Sequence, residues 1–197
     1  MSAPPPASHP DQRVVLLRHG QTAWSLAGQH TGRTDVPLTD TGRAQAAAVA
    51  GRLPVEAFAL VLTSPLSRAA DTAALAGFPD AEHEPGLLEW DYGTVEGRTT
   101  AEMRTTQPTW DIWRDGAPGG EAVGAVGDRV DRVIDRVRAV DGDVLLVAHA
   151  HVLRVLAARW LGLPADRGRS FQLDTTHWSL LTWQRETRVI DVWNHEP

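Results

Sequence analysis

The chain has 197 residues, 42% of them hydrophobic and 22% charged, with a formal net charge of −6. That is enough to bury one sizeable core, and the negative balance argues against nucleic acid or an anionic membrane as partner. It has no cysteine, which excludes disulfides, thiol catalysis and cysteine-ligated zinc. Every one of its 19 basic residues is arginine, so a phosphate loop ending in lysine and a lysine Schiff base are excluded too.

Residues 1–12 hold four prolines in the first ten positions and no apolar stretch, which predicts a disordered tail, not a signal peptide. With no run long enough to span a bilayer, a cytoplasmic protein is expected. The rest, 13–197, reads as a single domain. Val14-Val15-Leu16-Leu17 is a short, wholly apolar run, the pattern of a strand buried on both faces. It delivers Arg18 and His19 to its carboxyl end, where Gly20 lets the chain turn. Gln21 to Pro37 has no periodicity and many small residues, as a loop folded over a site would. Thr39 is placed to cap a helix running to Leu53, stopped by Pro54, with Leu38 as its staple.

A second strand is expected over Phe58–Thr63, then a helix over Ser67–Ala76. Arg68 falls in the first turn of that helix, where the helix dipole disfavours a cation. Glu82 to Leu88 suggests an edge strand, leading into Glu89-Trp90-Asp91-Tyr92-Gly93. Thr99 or Thr100 can cap a short helix ending near Thr106, and Pro108 to Glu121 reads as an irregular lid. Val126, Val130, Val133, Ile134, Val137 and Val140 recur at helical spacing over Gly127–Val140, opposite a charged face. Strand Val144–Ala148 ends in His149-Ala150-His151, and a further helix closes near Gly162. A hairpin is expected between Trp178 and Trp193, turning at Arg185-Glu186-Thr187. Helix and strand signals thus alternate, which predicts an α/β fold: a three-layer α/β/α sandwich around a mainly parallel sheet.

In such a sheet the strand ends share one edge, where ligands bind. His19 and His149 both follow apolar strands, Arg68 follows another, and Glu89 opens the loop after the edge strand. Two arginines, two histidines and a carboxyl at one point suit phosphoryl transfer. Guanidinium forks match phosphate oxygens, imidazole can accept the phosphoryl group, and a carboxyl can protonate the leaving oxygen.

Arg18-His19-Gly20, Ser64-Pro65-Leu66-Ser67-Arg68, Glu89 and His149, in this order, resemble the motifs of the histidine phosphatase superfamily, which includes the cofactor-dependent phosphoglycerate mutases. The likeness covers roughly Val14 to Leu163. Glu89-Trp90-Asp91-Tyr92-Gly93 and Ile112-Trp113-Arg114-Asp115-Gly116 are similar to the branch with small acid phosphatases and fungal sedoheptulose-1,7-bisphosphatase. The resemblance implies His19 as nucleophile, Arg18, Arg68 and His149 as a clamp on the phosphoryl group, and Glu89 as proton donor. It implies no metal and no cofactor, a small phosphorylated substrate and inorganic phosphate as product; it says nothing of oligomeric state. Gly20, Gln21, Thr22, Ser25, Thr31, Gly32, Tyr92 and Ala150 are the expected substrate contacts. Ser25 stands where the family often has asparagine, and Ala150 where it has glycine.

A phosphomonoesterase is therefore expected. Family mutases carry a long basic insertion after the glutamate, whereas Thr94 to Glu121 is short, with Arg98, Arg104 and Arg114 only. A non-catalytic phospho-ligand-binding module would not need both His19 and Glu89. Several neighbours have plainer readings: Glu96 and Arg98 as a surface ion pair, Glu121 as a helix cap, Arg154 as a buried structural arginine. His151 could pair with His149 as a metal-binding H-x-H, but no acidic partners follow at suitable spacing.

Overall fold

A computed structural model describes residues 11–197. Six strands form one sheet in the order β3-β2-β4-β1-β5-β6. They are β1 (Val14–Arg18), β2 (Leu60–Thr63), β3 (Glu82–His83), β4 (Val144–Ala148), β5 (Trp178–Gln184) and β6 (Thr187–His195). β3, β2, β4 and β1 run parallel, while β5 pairs antiparallel with β1 and forms a hairpin with β6. The apolar runs of β1 and β4 lie side by side at the centre, because helices cover both faces of these strands.

Alternation along β1 divides the core in two. Val14 and Leu16 pack with Val126, Val130, Leu153 and Trp160, from α6 (Val123–Arg138) and α7 (Ala150–Trp160). Val15 and Leu17 face the other way, onto a cluster with Val49 and Ala73, beside α2 (Asp40–Ala48) and α3 (Ser67–Leu75). The result is the expected three-layer α/β/α sandwich. Three short helices complete it: α1 (Ala23–Ala27), α4 (Thr100–Thr106) and α5 (Ile112–Asp115).

The differences from the sequence reading have local causes. α2 ends at Ala48, and the chain turns through Gly51 at φ +72° before Leu53 is reached. The strand expected over Glu82–Leu88 stops after His83. Pro85 has no N–H for a ladder, and Pro85–Leu87 winds into a 3-10 turn capped by the Glu84 side chain. α6 starts at Val123, earlier than the apolar repeat suggested. The Gln21–Pro37 loop contains α1, fixed by a capping box between Thr22 and Ser25, and the lid contains α5, capped by Asp111. The tail expectation falls on residues 1–10, outside the described residues, and on 11–12. Gln12 is buried, its side-chain amide donating to the Val137, Val140 and Gly142 carbonyls, so it belongs to the domain. Among the described residues no helix is long and apolar enough to cross a membrane.

Candidate active site

The parallel register sets the site. Arg18 lies opposite Ala148, so the residues that follow, His19 and His149, leave the sheet together; the His19 amide donates to the Ala148 carbonyl at 2.9 Å. Their rings meet edge to face with centroids 5.1 Å apart, and each is almost fully buried. β2 sits on the other side of β4 and brings Ser64 to the same edge.

His19 Nδ1 lies 2.7 Å from the Gly20 carbonyl oxygen. That oxygen only accepts, so Nδ1 carries the proton and Nε2 holds the lone pair of the neutral ring. Burial, and then the charges of Arg18 and Arg68, hold the His19 imidazole well below its usual pKa and keep it neutral. Arg18 donates from Nη1 to the Leu173 carbonyl at 2.6 Å, while its Nε is buried with no partner. An unsatisfied guanidinium N–H beside a neutral imidazole calls for an anion.

Glu89 is held by three backbone amides. Oε1 accepts from Trp90 and Val152, each at 2.9 Å, and Oε2 accepts from His151 at 3.0 Å. Two of those donors are in the first turn of α7, whose N-cap, His149, makes no side-chain cap bond. Glu89 thus caps the helix from another part of the chain and is fixed beside His19 in doing so.

Arg68 is fully buried, and four of the five N–H groups of a guanidinium are occupied. Nε donates to His149 Nδ1 at 3.1 Å, Nη1 to the Thr34 carbonyl, and Nη2 to the Thr31 and Gly32 carbonyls. Because Nδ1 of His149 accepts, its Nε2 carries the proton, which it gives to Ser64 Oγ at 2.7 Å. Arg68 therefore ties the Gln21–Pro37 loop to the sheet edge and orients His149.

A cavity of about 330 Å³ opens over His19. Arg18, Glu89, Ser25, Thr31, Tyr92 and Ala150 line it, as expected from the sequence. Arg68, His149, Gly20, Gln21, Thr22 and Gly32 are not in its wall. Gln21 accepts from Thr39, Thr22 caps α1, and the Gly32 amide donates to the Glu96 carboxylate. These three shape the loop next to the cavity. Ser25 Oγ reaches the wall but is committed to Thr22, accepting from its amide and donating to its carbonyl. Ala150 starts α7 without a positive φ, so alanine there is unstrained.

Two plainer readings are corrected. Glu96 is not paired with Arg98; its carboxylate accepts from the Gly32 and Thr34 amides. Glu121 caps no helix but binds Arg129, Arg33 and the Asp91 amide. Arg154 is structural, donating to the Gly168 and Arg169 carbonyls and stacking on Trp113.

His30, Asp111 and His151 stand in the cavity wall without any sequence signal for a substrate contact. His30 has no periodic neighbours; it arrives because its amide and ring bind the Arg98 carbonyl 68 residues away. Asp111 could have been found as an N-cap in the lid. His151 Nδ1 meets the Tyr92 hydroxyl. Among the described residues no group of three histidine, aspartate or glutamate side chains is placed to hold a metal ion.

A strand-end histidine with a fixed tautomer stands with a buried arginine and a carboxyl at one sheet edge, and the chain belongs to the histidine phosphatase superfamily (branch 1), whose family model matches residues 14–196. Among curated relatives, it is 42% identical over 187 residues to an acid phosphatase of Mycobacterium tuberculosis, covering 92% of each chain. It is 33% identical to the sedoheptulose 1,7-bisphosphatase of Saccharomyces cerevisiae, over 79% of this chain and 69% of that one. The solved structure of an open-reading-frame product from Mycobacterium tuberculosis superposes with a TM-score of 0.88 at 39% identity, covering 94% and 98% of the two chains. Both of these curated relatives are named as phosphatases.

Proposed function

We propose that the protein is a metal-independent phosphomonoesterase that hydrolyses a small phosphorylated metabolite through a phosphohistidine on His19. The observation that carries this is that His19, whose tautomer leaves the lone pair on Nε2, lines one cavity with Arg18 and Glu89. Nε2 attacks phosphorus, the P–N bond forms as the P–O bond to the leaving group breaks, and Glu89 in its acid form protonates the departing oxygen. Water then attacks phosphorus, Glu89 takes its proton, and inorganic phosphate leaves with His19 neutral again. The Gly20 carbonyl holds Nδ1–H throughout and stabilises the charge that develops on the ring. Arg18 neutralises the equatorial oxygens. Arg68 and His149 contribute charge and ring orientation from behind.

Hydrolysis is favoured over mutase chemistry because Arg98, Arg104 and Arg114 all lie outside the cavity wall, leaving no second cation for a bisphosphate intermediate. His19→Ala is expected to lower turnover of p-nitrophenyl phosphate by a factor of about 10³ or more, with thermal unfolding little changed. Retained turnover would sink the nucleophile assignment. Rapid acid quenching with labelled substrate should show an acid-labile phosphohistidine, and activity should survive chelator.

A further inference from the structure

The cavity wall also carries residues that the proposed phosphoryl chemistry does not use. His30 donates from Nδ1 to the Arg98 carbonyl at 2.7 Å, so Nε2 of the neutral ring is an acceptor. His151 is the reverse case. The Tyr92 hydroxyl is buried and, among the described residues, has His151 Nδ1 as its sole partner, so its proton goes to Nδ1. Nε2–H of His151 is then a donor. The two rings lie parallel, 5° apart in plane and 6.3 Å between centroids. Both rings line the cavity, and neither Nε2 is buried without a partner.

Trp113 supplies an apolar ring to the same wall, and Asp111 a carboxyl with one oxygen capping α5. Among the described residues, Arg18 is the only arginine lining the cavity. Once a phosphoryl group occupies it, a second anionic group on the substrate would meet the Asp111 and Glu89 carboxyls with no further arginine in the wall.

We propose that the substrate is the phosphate monoester of an uncharged, polyhydroxylated alcohol, a sugar or polyol, whose hydroxyls are read by Nε2 of His30 and Nε2 of His151. A hydroxyl both donates and accepts, which is what an acceptor and a donor on adjacent rings select. The aromatic face takes the C–H surface of the carbon chain. This rests on the reading of His19 as nucleophile.

The test compares kcat/KM for fructose 6-phosphate and glycerol 3-phosphate with that for 3-phosphoglycerate, fructose 1,6-bisphosphate and p-nitrophenyl phosphate. The monophosphates of uncharged alcohols are expected to lead the two substrates that carry a second anionic group. Two variants remove only the reading atoms: His30→Asn keeps a donor for the Arg98 carbonyl, and His151→Asn keeps an acceptor for Tyr92. In each, the ratio of kcat/KM for the sugar phosphate to that for p-nitrophenyl phosphate should fall about fivefold, the effect of one neutral hydrogen bond. A carboxylated or doubly phosphorylated substrate in the lead would overturn the proposal, and so would variants that leave that ratio unchanged. Absence of turnover on every substrate, p-nitrophenyl phosphate included, would instead overturn the phosphatase reading beneath it.

Discussion

His19 works through what its neighbours deny it. The Gly20 carbonyl takes one ring nitrogen, burial and two arginines keep the ring uncharged, and only Nε2 remains for chemistry. Arg18 is the complementary residue, with a buried Nε–H that no described residue satisfies. In the proposed mechanism its guanidinium faces the phosphoryl group. Fork geometry matters here as much as charge. Arg18→Lys keeps the cation but loses the planar donor set, and kcat/KM for p-nitrophenyl phosphate is expected to fall by about 10²–10³. Steady-state kinetics beside a melting curve would check it; a tenfold loss or less would show that charge alone suffices.

Among the elements, the junction of β1 with α2 decides where His19 sits. The chain passes so closely that a Cβ on Gly20 would lie 2.4 Å from the Gly42 carbonyl oxygen, and one on Gly42 only 2.0 Å from that of Gln21. Backbone occupies both places, so no rotamer change relieves the clash. Gly42→Ala is therefore expected to destabilise by about 2 kcal/mol, lowering the melting temperature by roughly 4–8 °C. Activity should fall with it, because Gly20 and Gln21 move. An unchanged melting temperature would refute this. The loop after β1 is held just as firmly. Arg68 binds three of its carbonyls and Glu96 two of its amides, which makes a polar, aperiodic segment a fixed wall of the cavity.

Across the molecule, burying neutral histidines makes stability depend on pH. His19, His149 and His151 are all held well below their usual pKa, by burial first and then by neighbouring charges, mainly Arg18 and Arg68 for the first, Arg68 for the second and Arg154 for the third. The unfolded chain titrates near pH 6.5, so below that value it binds protons that the folded chain refuses. The contribution is therefore complete above about pH 7 and is lost as pH falls toward the depressed folded values. Each histidine adds up to about 1.4 kcal/mol per pH unit in that window. Denaturant titrations at pH 7, 6 and 5 should show a steady fall, and a flat or rising profile would contradict the buried neutral state.

The strand-end residues were legible in the sequence because the signals that place them are local. An apolar run of four or five residues defines a buried strand, and alternation with helices defines a parallel sheet. Arg18, His19 and His149 follow from that logic, while Arg68 and Glu89 follow from the segments that come after the other strands. Which donors stay free for a ligand is a different matter. Arg68 is occupied by carbonyls 34 to 37 residues away in sequence, and Glu89 by amides 62 and 63 residues away. His30 and Asp111 enter the cavity from segments without periodicity. Hydrogen bonds between distant, irregular segments leave no pattern along the chain, so the tertiary structure alone decided that Arg18 stands in the cavity wall, that Arg68 secures the loop, and that His30 and His151 share that wall.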